Sequence, residues 1–353
     1  MNGEIPMKAL CYHGPYDVRY DSVDDPTLRD RQDVLVKVSA CSICGSDLHI
    51  YHGAGAAFTE GVGFCIGHEA VGEVVETGSG VNTLRPGDRV MIPGAVGCGS
   101  CSNCLRGNVR NCQKGQQQVF GLGPALPGSQ AEAVRVPFGD FNLGLIPDGV
   151  STDQALMLTD AQATAWFGCR NAEIAAGDVF VIIGLGPIGL MAIDTAKIMG
   201  AGRIFAIDPI KERRDIAARL GADPMPPEEA IEHVRSETKD RMADKVLEAV
   251  GADATISMAL EMVRREGVVS VIGVNKNPAF PFPMGMALSK GVTFRIGTTS
   301  PPETWRELVP LVQQGRLRPE QFITTRLALS EGAEAYRQLD ARSPGVLKTV
   351  ITP

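Results

Sequence analysis

The sequence predicts an α/β protein in two parts: a β-rich part of barrel type and a doubly wound parallel sheet with helices on its faces. Three observations predict it. The first 150 or so residues carry valine-rich runs cut by glycine, and from near residue 152 short apolar runs alternate with helical stretches. One of those runs ends in a glycine-rich turn, Gly184-Leu185-Gly186-Pro187-Ile188-Gly189. At 353 residues the chain is also longer than one hydrophobic core usually serves, so two domains are expected.

Taken in order, VLVKVSA (34–40) and AVGEVVETG (70–78) read as strands, and RPGDRVMIP (85–93) as a turn feeding another. No long helix is expected there, and residues 1–155 are assigned to the β-rich domain. Next, VFVIIGLG (179–186) and RIFAID (203–208) are apolar strands, followed by the helical stretches IGLMAIDTAKIMGA and KERRDIAARLGA. DATISMA (253–259) and GVVSVIGV (267–274) continue the pattern. Such alternation implies βαβ units and a parallel sheet over residues 156–296. Beyond 296 the alternation is expected to stop. Residues 297–353, ending in the strand-like LKTVITP, are expected to rejoin the first domain.

Composition narrows the function. With 44% hydrophobic and 21% charged residues and no apolar run long enough to span a bilayer, a membrane partner is not expected. The net charge of −7 speaks against nucleic acid, which requires a basic face. The start, MNGEIPMKALCYHG, lacks the features of a signal peptide, so a cytoplasmic location is expected. In that compartment nine cysteines are not read as disulfides. Cys11, Cys65 and Cys169 are scattered and read as small buried hydrophobes. Cys41 and Cys44 form a CxxC, and Cys98, Cys101, Cys104 and Cys112 cluster within fifteen positions.

The turn 184–189 leaves a strand and opens a helix, the setting in which a GxGxxG cradles a dinucleotide pyrophosphate. Gly184 permits the tight turn, Gly186 lets phosphate approach the backbone, and Gly189 allows close helix–strand packing. Pro187 and Ile188 complete the loop. Asp208, 19 residues after Gly189, can accept hydrogen bonds from ribose hydroxyls and would repel a 2′-phosphate, so NAD is expected over NADP. Lys211, Arg213 and Arg214 lie just downstream; they could serve a phosphate, or they form a solvated helix face.

Four motifs in order, CGSDLH (44–49), GHEAVGEV (67–74), the four-cysteine lobe (95–114) and GLGPIG with Asp208, resemble those of the zinc-dependent alcohol dehydrogenases of the medium-chain dehydrogenase/reductase superfamily. The resemblance runs through nearly the whole chain. It implies a GroES-like catalytic domain, a Rossmann cofactor domain and two Zn²⁺ per chain.

For the catalytic zinc, the resemblance implies Cys44 and His68 as ligands, with Asp160 in LMLTDAQATAWFG as the third and Glu69 as a neighbour able to approach the metal. It matches Ser46 to the hydroxyl that receives the substrate proton and His49 to the imidazole that passes it on. Thr164 is implied beside the nicotinamide, Lys348 near the pyrophosphate, and Asp47 as a supporting carboxylate whose partner the sequence does not identify. His13, His52 and His233 read as plain surface residues. Cys98, Cys101, Cys104 and Cys112 match the structural zinc lobe: four thiolates close a tetrahedral site and leave no open position. Cys41 is read as packing.

The implied reaction interconverts alcohols with aldehydes or ketones using NAD. The small stretch Pro93-Gly94-Ala95-Val96 suggests room for secondary or branched substrates, and Trp166 is a candidate opposite wall. A polyol or formaldehyde-type dehydrogenase is the alternative, and a non-catalytic zinc-stabilised NAD-binding protein is the rival of another class. The family pairs cofactor domains edge to edge, which implies a homodimer or homotetramer through a strand such as FRIGTTS.

Overall fold

The structure is a computed structural model that describes residues 6–53, 61–114, 119–277 and 279–353. The strands begin with β1 (Met7–Gly14), β2 (Asp17–Val23), β3 (Val34–Ser42) and β4 (Phe64–Cys65). They continue with β5 (Glu69–Thr77), β6 (Arg89–Ile92), β7 (Ala133–Val136) and β8 (Gly144–Leu145). Next come β9 (Val179–Ile183), β10 (Arg203–Ile207), β11 (Asp223–Met225), β12 (Ala243–Glu248), β13 (Val263–Val271) and β14 (Thr293–Ile296). The last two are β15 (Ile323–Ala328) and β16 (Lys348–Thr352). The chain divides into two compact units, Met1–Ala163 with Ser300–Pro353, and Thr164–Thr299. Among the described residues no helix is long and apolar enough to cross a membrane.

The first unit holds a sheet of order β15-β16-β3-β5-β6-β8, with β7 also on β3, and a smaller sheet β2-β1-β4. The strands alternate as half-buried strands should: in β3, Lys37 and Ser39 face out while Val34, Val36 and Val38 join a core with Leu10, Ile66, Val74 and Phe120. Residues 156–163, expected in the cofactor domain, belong to this unit. Helix Thr152–Leu158 packs on β3 and β5 with Leu156, Met157 and Leu158 buried, and the Trp305 indole donates to the Leu158 carbonyl at 2.9 Å.

The second unit is an all-parallel sheet of order β11-β10-β9-β12-β13-β14, which in chain order reads 3-2-1-4-5-6 and reverses between β9 and β12. Val179–Ile183 is almost wholly buried, because helices cover both faces of a parallel sheet.

Two expectations need correction. DATISMA is not a strand but the start of helix Asp253–Met262, and the strand at that point is ADKVLE (β12). Ile256, Ala259 and Leu260 fall at helical spacing on the buried face, while charges at Asp244, Lys245 and Glu248 disguise a buried strand. Nor does the alternation stop at 296. Helix Pro301–Gln313, β15, helix Gly332–Asp340 and β16 follow, and β15 and β16 are a parallel pair across that last helix. The terminal strand does join the first unit, through β3.

Candidate active site

Strand register builds the site. Ser42 at the end of β3 is the cross-strand partner of Glu69 at the start of β5, so the chain leaving one strand and the chain entering the other run side by side. Cys44 follows the first and His68 precedes the second. After Cys44 the turn closes on itself: the Asp47 N–H donates to the Cys44 carbonyl at 3.1 Å, and the Cys44 N–H donates to the Asp47 carboxylate at 2.9 Å. The short helix Asp47–Tyr51 begins there. Asp160, between the helices Thr152–Leu158 and Ala161–Asn171, brings the third group.

Ligand atoms of Cys44, His68 and Asp160 all lie within 4.8 Å of one another. The Cys44 thiol is 3.3 Å from Asp160 Oδ2, and His68 Nε2 is 3.8 Å from the same oxygen. Ser46 Oγ stands 3.2 Å from His68 Nε2. The electrostatics describe a donor set suited to a divalent cation. Burial pushes the Cys44 thiol up, and Asp160 and Glu69 push the same way. Asp160 is held down to about 2: burial opposes its charge, but His68, Lys348 and Cys44 outweigh it. A buried thiol and imidazole and a partly exposed carboxylate, with an exposed glycine (Gly45) beside them, fit a zinc site with an open position.

The partner of Asp47 is now identified. Its Oδ1 lies 2.9 Å from His68 Nδ1, the ring nitrogen turned away from the cluster. Such a carboxylate fixes the tautomer and orientation of a metal-binding histidine. Lys348, expected near a pyrophosphate, is instead 2% exposed and pairs with the Glu69 carboxylate, while its ammonium also donates to the Ile43 carbonyl at 3.0 Å. Glu69 is fully buried and also accepts from the Ser42 hydroxyl. A cation at this position answers a buried carboxylate. His49 sits half-buried on the short helix.

The four lobe cysteines also converge, with all sulfurs within 4.8 Å. Cys98 and Cys104 sulfurs are 4.0 Å apart, close to the ~3.8 Å edge of a tetrahedron with zinc–sulfur bonds of about 2.3 Å. Backbone N–H groups already point at them: Cys98 to Cys112, and both Cys104 and Gln113 to Cys101, at 3.4–3.5 Å. These donors favour thiolates. Cys98 is lowered to about 6: burial opposes this, but the Ser100 hydroxyl and neighbouring amides outweigh it. Asn142, which the sequence reading missed, pins the lobe by donating to and accepting from the Gly97 backbone at 2.9 and 2.8 Å.

In the second unit the glycine loop sits at the sheet's reversal point, beside β9 and β12. Gly184 has φ +94°, and a Cβ on Gly189 would lie 1.8 Å from the Gly184 carbonyl oxygen. A Cβ on Gly186 would meet nothing within 4 Å, which leaves open the space a pyrophosphate needs above the Pro187–Met199 helix. Asp208 is 4% exposed; its oxygens accept from the Leu185 and Ile210 N–H groups, each at 2.8 Å, and Arg213 is 3.7 Å away. Arg214 turns to the Asp208 and Pro209 carbonyls. Thr164 opens this unit and is largely buried. The sequence reading also missed Glu248, which ends β12. Its Oε1 accepts from the Val250 and Gly251 N–H groups and the Thr255 hydroxyl, fixing the loop whose Val250 packs on Gly184.

The scattered cysteines and histidines also have partners. Cys11 and Cys65 face each other across β1 and β4 with sulfurs 3.9 Å apart. His13, His52 and His233 stand near Asp21, Asp340 and Asp223 at 2.5, 2.5 and 3.3 Å.

Fold and site together define a zinc-binding, nicotinamide-dependent oxidoreductase, and comparison with known proteins narrows the class. Residues 30–148 match the alcohol dehydrogenase GroES-like domain and residues 187–314 the zinc-binding dehydrogenase domain. The chain is 42% identical to the "Probable zinc-binding alcohol dehydrogenase" of Mycobacterium tuberculosis, over 98% of this chain and 89% of that one. Among solved structures it is similar to the alcohol dehydrogenase TADH from Thermus sp. ATN1, at 41% identity, 98% and 99% coverage and a TM-score of 0.92. It is also similar to 2R,3R-butanediol dehydrogenase from Bacillus subtilis, at 26% identity, 98% and 99% coverage and a TM-score of 0.85. The chain belongs to the zinc-dependent alcohol dehydrogenases of the medium-chain dehydrogenase/reductase superfamily.

Proposed function

We propose that this alcohol dehydrogenase uses NAD to interconvert secondary or branched alcohols with their carbonyl compounds, with catalytic zinc at Cys44, His68 and Asp160 and structural zinc at Cys98, Cys101, Cys104 and Cys112. The convergence of buried Cys44 and His68 with the partly exposed Asp160, and Ser46 beside them, carries the reading. When bound, zinc supplies a Lewis acid that eases removal of the alcohol proton, and NAD supplies the hydride acceptor. The Ser46 hydroxyl takes that proton and His49, half-buried on the same turn, passes it toward solvent. Asp47 holds the His68 ring, and Glu69, tied to Lys348, keeps a negative charge beside the ligands.

In the second unit Gly184, Gly186, Pro187, Ile188 and Gly189 receive the pyrophosphate, Asp208 the ribose, and Thr164 the nicotinamide. Asp208 supports NAD over NADP because a buried carboxylate repels a 2′-phosphate; Arg213 beside it shifts the balance less, because it already faces that carboxylate. Gly94, which lies against the His68 ring, and the neighbouring Ala95 carry no bulky side chain; this supports a roomier pocket, and the butanediol dehydrogenase likeness agrees. The exposed edge strand β14 with Ile296 supports a homodimer or homotetramer, and nine cysteines without a disulfide among the described residues support a cytoplasmic location.

The test is the initial rate of nicotinamide reduction with zinc-replete protein, run with NAD⁺ and NADP⁺ against primary, secondary, aromatic and polyhydroxy alcohols. NAD-linked turnover of secondary alcohols is expected. A preference for NADP⁺ refutes the role of Asp208, a preference for polyols refutes the substrate class, and no turnover with both zincs bound favours a binding protein.

A further inference from the structure

The two segments that carry Cys44 and His68 are held together by one residue that belongs to neither. Gln130 is 1% exposed, and its side-chain amide donates to the Ser42 carbonyl at 3.1 Å and to Asp47 Oδ2 at 3.4 Å. On its other side the Gln130 N–H donates to the Ile66 carbonyl at 3.0 Å. Its side chain lies so close to Gly67 that a Cβ there would be 2.3 Å from Gln130 Cγ, and Gly67 has φ +90°. Thus residue 67 is glycine because Gln130 occupies the space, and His68 leaves from a backbone that Gln130 fixes. The Ser42 carbonyl and the Asp47 carboxylate only accept, so they fix which way the Gln130 amide faces: its NH₂ end lies toward them. Its Oε1 is thereby left to accept from the fully buried Tyr336 hydroxyl at 2.9 Å. The Tyr336 ring also packs on Tyr51, 5.4 Å between centroids, at the far end of the Asp47–Tyr51 helix.

We infer that Gln130 and Tyr336 are positioning residues for the catalytic metal site: Tyr336 orients Gln130, Gln130 orients Asp47, and Asp47 orients His68. The inference rests on the reading that Cys44, His68 and Asp160 hold the catalytic metal. The chain Tyr336–Gln130–Asp47–His68 runs from a helix of the C-terminal segment to a ring nitrogen, and every member is at most 6% exposed. Water is therefore a poor substitute for any link. Direct hydrogen-bond partners of metal-binding histidines typically affect metal affinity 10–100-fold when removed; residues one and two links further out should act in the same direction and less strongly.

The test uses full-length protein with cobalt(II) in place of zinc, and the variants Gln130→Met and Tyr336→Phe. Cobalt affinity is read by competition with a chromophoric chelator, and ligand geometry by the visible absorption bands. Subtracting the spectrum of Cys44→Ser protein isolates this site from the four-cysteine lobe. Both variants should bind cobalt at this site about 3–30-fold more weakly, with shifted bands and an unchanged lobe signal. A purely structural role lowers the melting temperature but leaves affinity and bands alone. Affinity within twofold of the parent and unshifted bands in both variants overturn the inference, whatever the melting temperature. A silent Tyr336→Phe beside an altered Gln130→Met overturns the role of Tyr336. Parent protein that takes up cobalt only at the four cysteines instead removes the metal-site reading itself.

Discussion

Replacing Lys348 with methionine tests the electrostatics of the first unit most directly. Glu69 is fully buried and its Oε2 has two partners, the Lys348 ammonium and the Ser42 hydroxyl. Lys348→Met leaves a fully buried carboxylate with one neutral donor, while methionine keeps most of the volume. Removing one member of a buried ion pair costs about 3–5 kcal/mol, chiefly because the other charge stays behind. For a unit of this size 1 kcal/mol moves the melting temperature by about 2–4 °C, so a fall of roughly 6–20 °C is expected. Because the chain has two units, the assay is scanning calorimetry of the zinc-loaded protein, following the transition that belongs to the first unit. The double variant Glu69→Gln with Lys348→Met removes both charges and should recover at least half the loss, since two neutral groups of similar volume cost far less to bury. A single variant melting within 1 °C of the parent, or a double variant no better than the single, would refute the reasoning.

Three further outcomes follow from other sites. Gly189→Ala places a methyl carbon 1.8 Å from the Gly184 oxygen, so NADH binding followed by fluorescence should fall at least tenfold; near-normal binding would show that the loop yields. Cys112→Ser should reduce bound zinc from two per chain to one and make residues 95–114 sensitive to protease, whereas two retained zincs would contradict the lobe assignment. Asp244 is 4% exposed; burial opposes its charge, but Arg264, the Val179 N–H and Arg241 outweigh it and hold its carboxyl below the usual range. A lowered folded-state value means that its stabilisation is present above about pH 4, the unfolded value, and is lost as the pH falls through the folded one. The stability gap between parent and Asp244→Asn should therefore shrink on acidification below about pH 5, as read by urea unfolding, and a gap constant down to pH 2.5 counts against it.

Motifs whose parts lie close in sequence were legible before the structure. The pairs Cys44–Ser46 and His68–Glu69 lie within three positions, the four cysteines within fifteen, and Asp208 only 19 residues after Gly189, all short enough for spacing to limit geometry. Strands with continuous apolar character, such as Val179–Ile183, were legible for the same reason. The misreadings arose where charge and burial conflict. ADKVLE looks too polar for a central strand, but Asp244 is answered by two arginines and Glu248 by its own loop, so both can be buried. DATISMA has the apolar content of a strand, and only its contact with the sheet at helical spacing distinguishes it.

The relations that remained illegible are those between distant residues. Asp47 was recognised as a supporting carboxylate without its histidine, and Lys348 was assigned to a phosphate because nothing local tied it to Glu69. Those two are 279 positions apart, and Tyr336 is 206 from Gln130. No spacing rule covers such a distance. Both links come from the C-terminal segment, which crosses back after the cofactor-binding unit to add β16 beside β3 and the Gly332–Asp340 helix behind the Asp47–Tyr51 helix. The proposed ligand residues all precede position 161, yet a chain ending at the close of the second unit would leave Glu69 without the Lys348 ammonium and Gln130 Oε1 without the Tyr336 hydroxyl. Closing loops of this length adds little entropic cost beyond that of much shorter ones, because the cost grows only with the logarithm of length. The late return of the chain is therefore a thermodynamically inexpensive way to complete a site whose proposed ligands were all supplied earlier, and it explains why the support of that site is written so far from its motifs.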